Sequence, residues 1–99
     1  NQLVCVKADD TRQIAWASGK INRFGLGPYL MADGKILVLS DDGELTMLRA
    51  STQTYQELAR AQVIENGHDA WAPMALAEGR LILRDDQKMI CLDLREQIK

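Results

Sequence analysis

Residues 28–38 read PYLMADGKILV, and residues 73–83 repeat the pattern as PMALAEGRLIL. Each copy has two apolar runs separated by an acidic residue and a glycine, Asp33-Gly34 in the first copy and Glu78-Gly79 in the second. This composition is typical of a tight turn with positive φ angles between two β-strands. Each copy therefore predicts a β-hairpin.

A third apolar segment follows each hairpin after a short acidic turn. Its copies are LTML at residues 45–48 and MICL at residues 89–92, and a related segment, LVCV, stands at residues 3–6. The turns, DDGE at residues 41–44 and DDQK at residues 85–88, leave room only for another hairpin. One repeat therefore predicts strand, turn, strand, turn, strand.

A fourth strand is predicted after the third, at residues 14–18 and 55–64. The second of these segments is ambiguous, because Tyr55, Leu58 and Val63 also form a helical stripe. Strand is the preferred interpretation. Four short strands that recur every 42 to 45 residues are typical of the blades of a β-propeller.

We therefore expect an all-β chain of four-stranded antiparallel propeller blades, a partial β-propeller of about two blades. Residues 1–24 are predicted to supply the last strands of one blade, residues 25–66 a complete blade, and residues 67–99 most of a further blade. Residues 96–99 are too short to form a fourth strand, as expected for a C-terminal piece of a closed propeller. The chain is predicted to join the remaining blades of its parent.

The second strand of each repeat is apolar at consecutive positions, so both of its faces are expected to be covered. Neighbouring blades provide this cover, but the blades at the two ends keep one open apolar face each. Self-association of the chain is therefore expected where no further blades are present.

Composition and charge exclude several kinds of protein. The 12 basic residues are scattered and the net charge is −2, so no nucleic-acid partner is predicted. The aliphatic runs are far shorter than the roughly 18 residues of a membrane span, so no membrane span is predicted. Cys5 and Cys91 form no disulfide or metal-binding pattern and are expected to be small buried hydrophobes.

Several short motifs stand in the same order in successive repeats. They are Gly27-Pro28, Asp33-Gly34-Lys35, Asp41-Asp42-Gly43, Leu45 to Leu48 and Ala50, then Ala72-Pro73, Glu78-Gly79-Arg80, Asp85-Asp86 and Cys91-Leu92-Asp93, with Ala8 and Trp16 in the first repeat. In this order of motifs the chain resembles the pyrroloquinoline quinone-like (PQQ-like) β-propeller repeat family.

The resemblance implies a propeller fold, a bacterial protein that is periplasmic or extracellular, and a blade-docking role for Trp16. It does not imply quinone binding, because the adjacent cysteine pair of the quinone-dependent alcohol dehydrogenases is absent from the sequence, and no cofactor is predicted. The chain departs from the family at residues 10–13 and 52–54, which replace its usual Thr-Gly-Lys turn, and has no tryptophan near Leu58.

His68 and Asp69 are adjacent, as in some catalytic and metal sites. His68 is the single histidine and no further ligand stands at zinc-site spacing, so neither a catalytic nor a metal-binding residue is predicted. We interpret His68, Asp69 and Trp71 as a candidate recognition loop, because connecting loops carry binding and large aromatic side chains anchor interfaces.

Two other motifs are interpreted as structural. The acidic pairs at residues 41–42 and 85–86 are expected to be turn residues, since calcium loops space their ligands at alternating positions. The two glycines within residues 23–28 do not form a phosphate-binding loop, because a strand rather than a helix is predicted after them.

The sequence thus favours a non-catalytic repeat segment that acts as a scaffold or protein-binding module. One alternative is a part of a PQQ-dependent dehydrogenase whose cofactor site lies in other blades. The other alternative is a sensor domain of a signalling protein.

Overall fold

The computed structural model describes residues 1–95, and within them the chain is all-β, as predicted. The prediction for residues 96–99 lies outside the described residues. Strands β1 and β2 form sheet I, β3 to β6 form sheet II, and β7 to β9 form sheet III, each with antiparallel neighbours. The strands are β1 Val4–Val6, β2 Ile14–Ala17, β3 Tyr29–Ala32, β4 Lys35–Leu39, β5 Glu44–Arg49, β6 Glu57–Gln62, β7 Ala75–Ala77, β8 Arg80–Arg84 and β9 Met89–Asp93.

The two repeated hairpins have the predicted turns. Asp33 and Gly34 join β3 to β4 with φ angles of 53° and 70°, and Glu78 and Gly79 join β7 to β8 with φ angles of 52° and 77°. Positive φ at both central residues is what a two-residue turn needs to match the twist of the flanking strands. The hairpin prediction is confirmed in both copies.

The ambiguous segment after Tyr55 forms a strand. β6 pairs with β5 from Glu44 opposite Gln62 to Leu48 opposite Glu57, with an irregularity between Met47 and Leu48. A helix here would leave that edge of β5 without backbone hydrogen bonds. The available edge therefore overrides the helical preference of the local sequence.

Sheet II lies between the other two sheets. Leu37 and Leu39 of β4 belong to a core cluster that includes Leu81 and Leu83 of sheet III. Val38, between them, points the other way and belongs to a second cluster with Trp16 of sheet I. Both faces of β4 are thus covered, which explains its uninterrupted apolar sequence.

β8, in the last described sheet, is covered on one face only, as expected for a sheet at the end of the stack. Leu81 and Leu83 are buried against sheet II, but Ile82 is 42% exposed on the opposite face. The apolar sequence of β8 would allow burial on both sides, but within residues 1–95 no sheet packs on its outer face.

The cysteines differ from expectation. Cys5 is half-buried, whereas Cys91 is exposed in β9, and both are free. Cys91 lies in register with Ile82, so its side chain shares the open face of sheet III. Within the described residues there is no helix with the length and hydropathy of a membrane span.

Candidate functional site: the loops between sheets II and III

The candidate recognition loop lies in the segment that leads from β6 to β7, where it crosses the turn between β4 and β5. Ala70 is fully buried and donates its backbone N–H to the carbonyl oxygen of Asp41 at 3.1 Å. Asp69 has a φ angle of 53°, and its carbonyl oxygen accepts a hydrogen bond from the Trp71 N–H at 2.9 Å. Because Ala70 is held in the core, the side chains of Asp69 and Trp71 are fixed on either side of it.

Trp71 is exposed and tethered at the same time. Its side chain is 49% exposed, and its indole Nε1 donates a hydrogen bond to Asp41 Oδ1 at 2.9 Å. The same carboxylate oxygen accepts the backbone N–H of Leu26 at 2.7 Å. Asp41 therefore orients the indole and also anchors the segment that enters sheet II.

Asp85 is the repeat counterpart of Asp41 and has a similar structural role. Its buried carboxylate accepts the backbone N–H groups of Gln87 at 2.9 Å and Lys88 at 2.8 Å through Oδ1, and that of His68 at 3.2 Å through Oδ2. These hydrogen bonds lower the pKa of Asp85 below its ordinary value of 3.8, and those from Gln87 and Lys88 have the largest effect. Burial of the carboxylate acts in the opposite direction but does not cancel this effect. Asp85 thus closes its own turn and also fixes the entrance to sheet III.

The His68 side chain lies between two carboxylates. Its Nδ1 is 3.3 Å from Asp69 Oδ2 and 3.4 Å from Asp86 Oδ2, and the Asp86 N–H donates to the His68 carbonyl oxygen at 3.1 Å. Asp86 was assigned to a turn from the sequence. Its place beside His68 was missed because the two residues belong to different connections and meet only when sheets II and III pack together.

His68, Asp69 and Asp86 could hold a metal ion by distance. One ligand atom from each lies within 4.8 Å of the others, and the separations from Nδ1 are near those of two ligands on one tetrahedral zinc ion. The His68 side chain is exposed, and its Nδ1 lies within ion-pair distance of both carboxylates.

The serine hydroxyls have partners other than His68. Ser18 Oγ donates to the carbonyl oxygen of Asn22 at 2.6 Å, and Ser51 Oγ accepts the N–H of Gln53 at 3.0 Å. A hydrolytic site needs a base in contact with its nucleophile. Ser51 Oγ thus has a local turn contact, and Ser18 Oγ also accepts the backbone N–H of Leu3 at 3.0 Å.

The glycines before β3 allow close packing of chain segments. A Cβ atom on Gly27 would overlap the carbonyl oxygen of Leu39, and one on Gly25 would overlap the Asp41 carboxylate. The following segment is a β-strand, as the sequence predicted. Steric exclusion of a Cβ atom therefore explains why both positions are occupied by glycine.

Trp16 lies in a different interface from the recognition loop. It is buried between sheets I and II with Phe24, Val38 and Leu48, and its ring centroid is 5.8 Å from that of Tyr55. Of the four residues singled out from the sequence, His68, Asp69 and Trp71 are therefore brought together at one end of the sheets, and Trp16 is not.

The candidate recognition loop combines a tethered aromatic side chain with exposed polar groups. Such a surface can form apolar contacts, hydrogen bonds and ion pairs with another macromolecule. No protein-family model matches this chain, and no curated protein matches its sequence.

Proposed function

We propose that the chain is a segment of a β-propeller in which sheets I, II and III are successive blades, and that it acts as a non-catalytic scaffold or protein-binding module. The proposal is supported by the repeated hairpins and by the position of sheet II between the other two sheets. Propeller blades stack in this manner, each sheet burying a face of the next.

The binding surface is the recognition loop of His68, Asp69 and Trp71. One observation carries this assignment: Trp71 exposes half of its side chain although its indole is hydrogen-bonded to Asp41. An exposed aromatic side chain held in one orientation loses little conformational freedom on binding. Trp71 is therefore the anchor residue of the surface.

The polar groups around Trp71 favour binding over catalysis. Asp41 and Asp85 are engaged by backbone N–H groups of their own and neighbouring turns, and the His68 imidazole faces two carboxylates. These contacts stabilise loops. The polar side chains of His68, Asp69 and Asp86 remain at the rim of this surface, where they determine which protein surfaces are complementary to it.

Site-specific photocrosslinking in cells tests this function. A photoreactive phenylalanine analogue replaces Trp71 in the parent protein, and the control places it at Ile21, which is 92% exposed in another loop. We expect a discrete protein adduct from position 71 and none from position 21. Equal labelling from both positions, or no protein adduct from position 71, would contradict the proposal.

A further inference from the structure

Asn66 and Gly67 lie in the connection between β6 and the candidate recognition loop. Asn66 is exposed and has a φ angle of 51°. Asparagine is one of the few residues other than glycine that commonly adopt this left-handed conformation. The backbone conformation therefore favours asparagine or glycine at position 66.

Gly67 is required by the close approach of another turn. A Cβ atom at position 67 would overlap the backbone carbonyl group of Asp42, and it would lie 3.0 Å from the Cα atom of Gly43. Position 67 therefore has no room for a side chain. Conformation at one residue and space at the next thus place an asparagine directly before a glycine.

An asparagine followed by glycine loses its side-chain amide more readily than one followed by a larger residue. The backbone nitrogen of the second residue attacks the Cγ carbon of the asparagine, and a glycine has no side chain to hinder this approach. A C–N bond forms to give a cyclic imide, and the proton of the attacking N–H passes through water to the side-chain nitrogen, which leaves as ammonia. Water then opens the imide at either carbonyl carbon and gives aspartate or isoaspartate.

The side chain of Asn66 is open to the water that this reaction consumes. It lines a cleft of about 440 Å³ together with Asp42, Gln62, Glu65 and Gly67. The reaction needs no other reactant, because the attacking nitrogen belongs to the next residue. The exposed amide of Asn66 therefore has both reactants beside it.

Asn22 differs from Asn66 in both respects. It is followed by Arg23, whose side chain hinders the backbone nitrogen, and its amide is held at both ends. Its Nδ2 donates to the carbonyl oxygen of Ser18 at 3.0 Å, and its Oδ1 accepts a hydrogen bond from Arg60 Nη2 at 2.8 Å. Within residues 1–95 the Asn66 amide makes no such contact. Asn22 is therefore an internal reference of low reactivity.

We propose that Asn66 is a site of spontaneous deamidation, and that its conversion to isoaspartate releases the candidate recognition loop from its backbone anchors. Asn66 precedes His68 by two residues, so the altered backbone lies directly before the loop. The chemistry at Asn66 is independent of the proposed function, whereas a consequence for partner binding rests on it.

The segment around Asn66 is held by hydrogen bonds on both sides. Before it, the Val63 N–H donates to the carbonyl oxygen of Gly43 at 3.0 Å. After it, the His68 N–H donates to Asp85 Oδ2 at 3.2 Å. Isoaspartate carries the main chain through its side chain and adds one carbon atom to the path. Since the neighbouring turn leaves no space beside the next residue, the added length displaces His68 from Asp85.

The aspartate product changes the charge but keeps the backbone path. Its carboxylate joins those of Asp42 and Glu65, which line the same cleft. Exposed charges are screened by water and salt, so the added repulsion is small. The extra backbone atom of isoaspartate, rather than the charge, is therefore the change that releases the loop.

Mass spectrometry of aged protein tests the site. The full chain is kept folded at mildly alkaline pH and then digested after lysine, which places Asn22 in residues 21–35 and Asn66 in residues 36–88. We expect the second peptide to exchange an amide NH₂ for a hydroxyl group at Asn66, with isoaspartate among the products. The rate is expected to be at least about tenfold above that at Asn22, because it depends on how closely the nitrogen approaches the amide carbon.

Amide hydrogen exchange, followed by NMR, tests the release of the loop. The aged wild-type chain is compared with aged Asn66→Gly, which tolerates the positive φ, and with fresh Asn66→Asp, which has the charge without the extra backbone atom. We expect the His68 and Ala70 amides to exchange about tenfold faster or more in the isoaspartate form, because each loses its hydrogen bond. Neither variant is expected to show this increase.

Three results would overturn the proposal. The first is an unchanged mass at Asn66 in chains that remain folded, and the second is an equal rate at Asn22. The third is wild-type exchange of the His68 amide in a chain of measured isoaspartate content. None of these readouts involves a binding partner, so their outcome is separate from that of the photocrosslinking experiment.

Discussion

The indole Nε1 of Trp16 donates a hydrogen bond to the backbone carbonyl oxygen of Ser51 at 2.7 Å, across the interface of sheets I and II. Trp16 belongs to β2, and Ser51 follows β5, so the bond joins segments 35 residues apart in the sequence. The ring itself is buried against Val38 and Leu48. One side chain therefore contributes both apolar contact and a directional bond to the position of sheet I.

Replacement of Trp16 by phenylalanine keeps an aromatic ring and removes the bond to Ser51. We expect a loss of about 1–2 kcal/mol in the free energy of unfolding, since a carbonyl oxygen loses its partner and some contact is lost. Trp16→Ala is expected to cost about 3–5 kcal/mol. Urea denaturation measures the loss in both Trp16 variants. Trp71→Phe is the control, because Trp71 is half-exposed and lies outside this interface. An equal, small loss for Trp16→Phe and Trp71→Phe would contradict the structural role of Trp16.

Gly27 is fixed by close approach, and Gly34 by backbone conformation. An alanine Cβ at position 27 meets the carbonyl oxygen of Leu39, whereas one at position 34 meets nothing within 4 Å but is strained by a φ of 70°. We expect Gly34→Ala to cost about 1 kcal/mol of unfolding free energy and Gly27→Ala about 3 kcal/mol or more. Urea denaturation compares the two variants, and similar losses would show that the segment before β3 moves freely away from β4.

Asp85 makes stability depend on pH. Its pKa is lower in the folded chain than the ordinary 3.8, because the N–H groups of Gln87 and Lys88 stabilise its charged form. Its contribution is therefore complete above the pKa of the unfolded chain and is lost as the pH falls through the lower folded pKa. Asp85→Asn is expected to be less stable than the wild type at pH 7, and the difference is expected to shrink below about pH 4.

Unfolding by urea at several pH values tests the role of Asp85. Asp33→Asn is the control, because the Asp33 side chain is 97% exposed and asparagine tolerates its positive φ. A difference between wild type and Asp85→Asn that stays constant from pH 7 to pH 3 would rule out the linkage.

The open apolar face of sheet III favours self-association of the isolated chain. Ile82, Met89 and Cys91 are exposed on this face, and Val4 and Val6 are exposed on sheet I at the other end of the stack. We expect analytical ultracentrifugation at micromolar concentration to show oligomers, because apolar end faces gain free energy when they are covered. Ile82→Lys is expected to shift the distribution towards monomer.

Ile21→Lys is the control for this experiment, since Ile21 is exposed in a loop between β2 and β3 and lies on neither sheet face. It is expected to leave the distribution unchanged. A monomeric wild-type chain at these concentrations would show that the end faces need no cover.

The amino-acid sequence predicts the hairpin turns, but it does not predict how the connecting loops contact one another. The turns at Asp33-Gly34 and Glu78-Gly79 follow from short-range sterics, because neighbouring residues alone restrict the φ angles. The environment of His68 does not follow from local sequence. Its contact with Asp86 joins two separate connections, and a pattern read along one chain segment carries no signal for it.

The amino-acid sequence by itself determined the strand positions and the repeat, because short apolar runs and turn composition act over a few residues. The tertiary structure alone decided which faces are buried. Ile82 and Leu37 occupy equivalent positions in similar apolar strands, but Leu37 is buried in the core and Ile82 is not. The reason is that burial depends on a neighbouring sheet, which lies far away in the sequence or in another molecule.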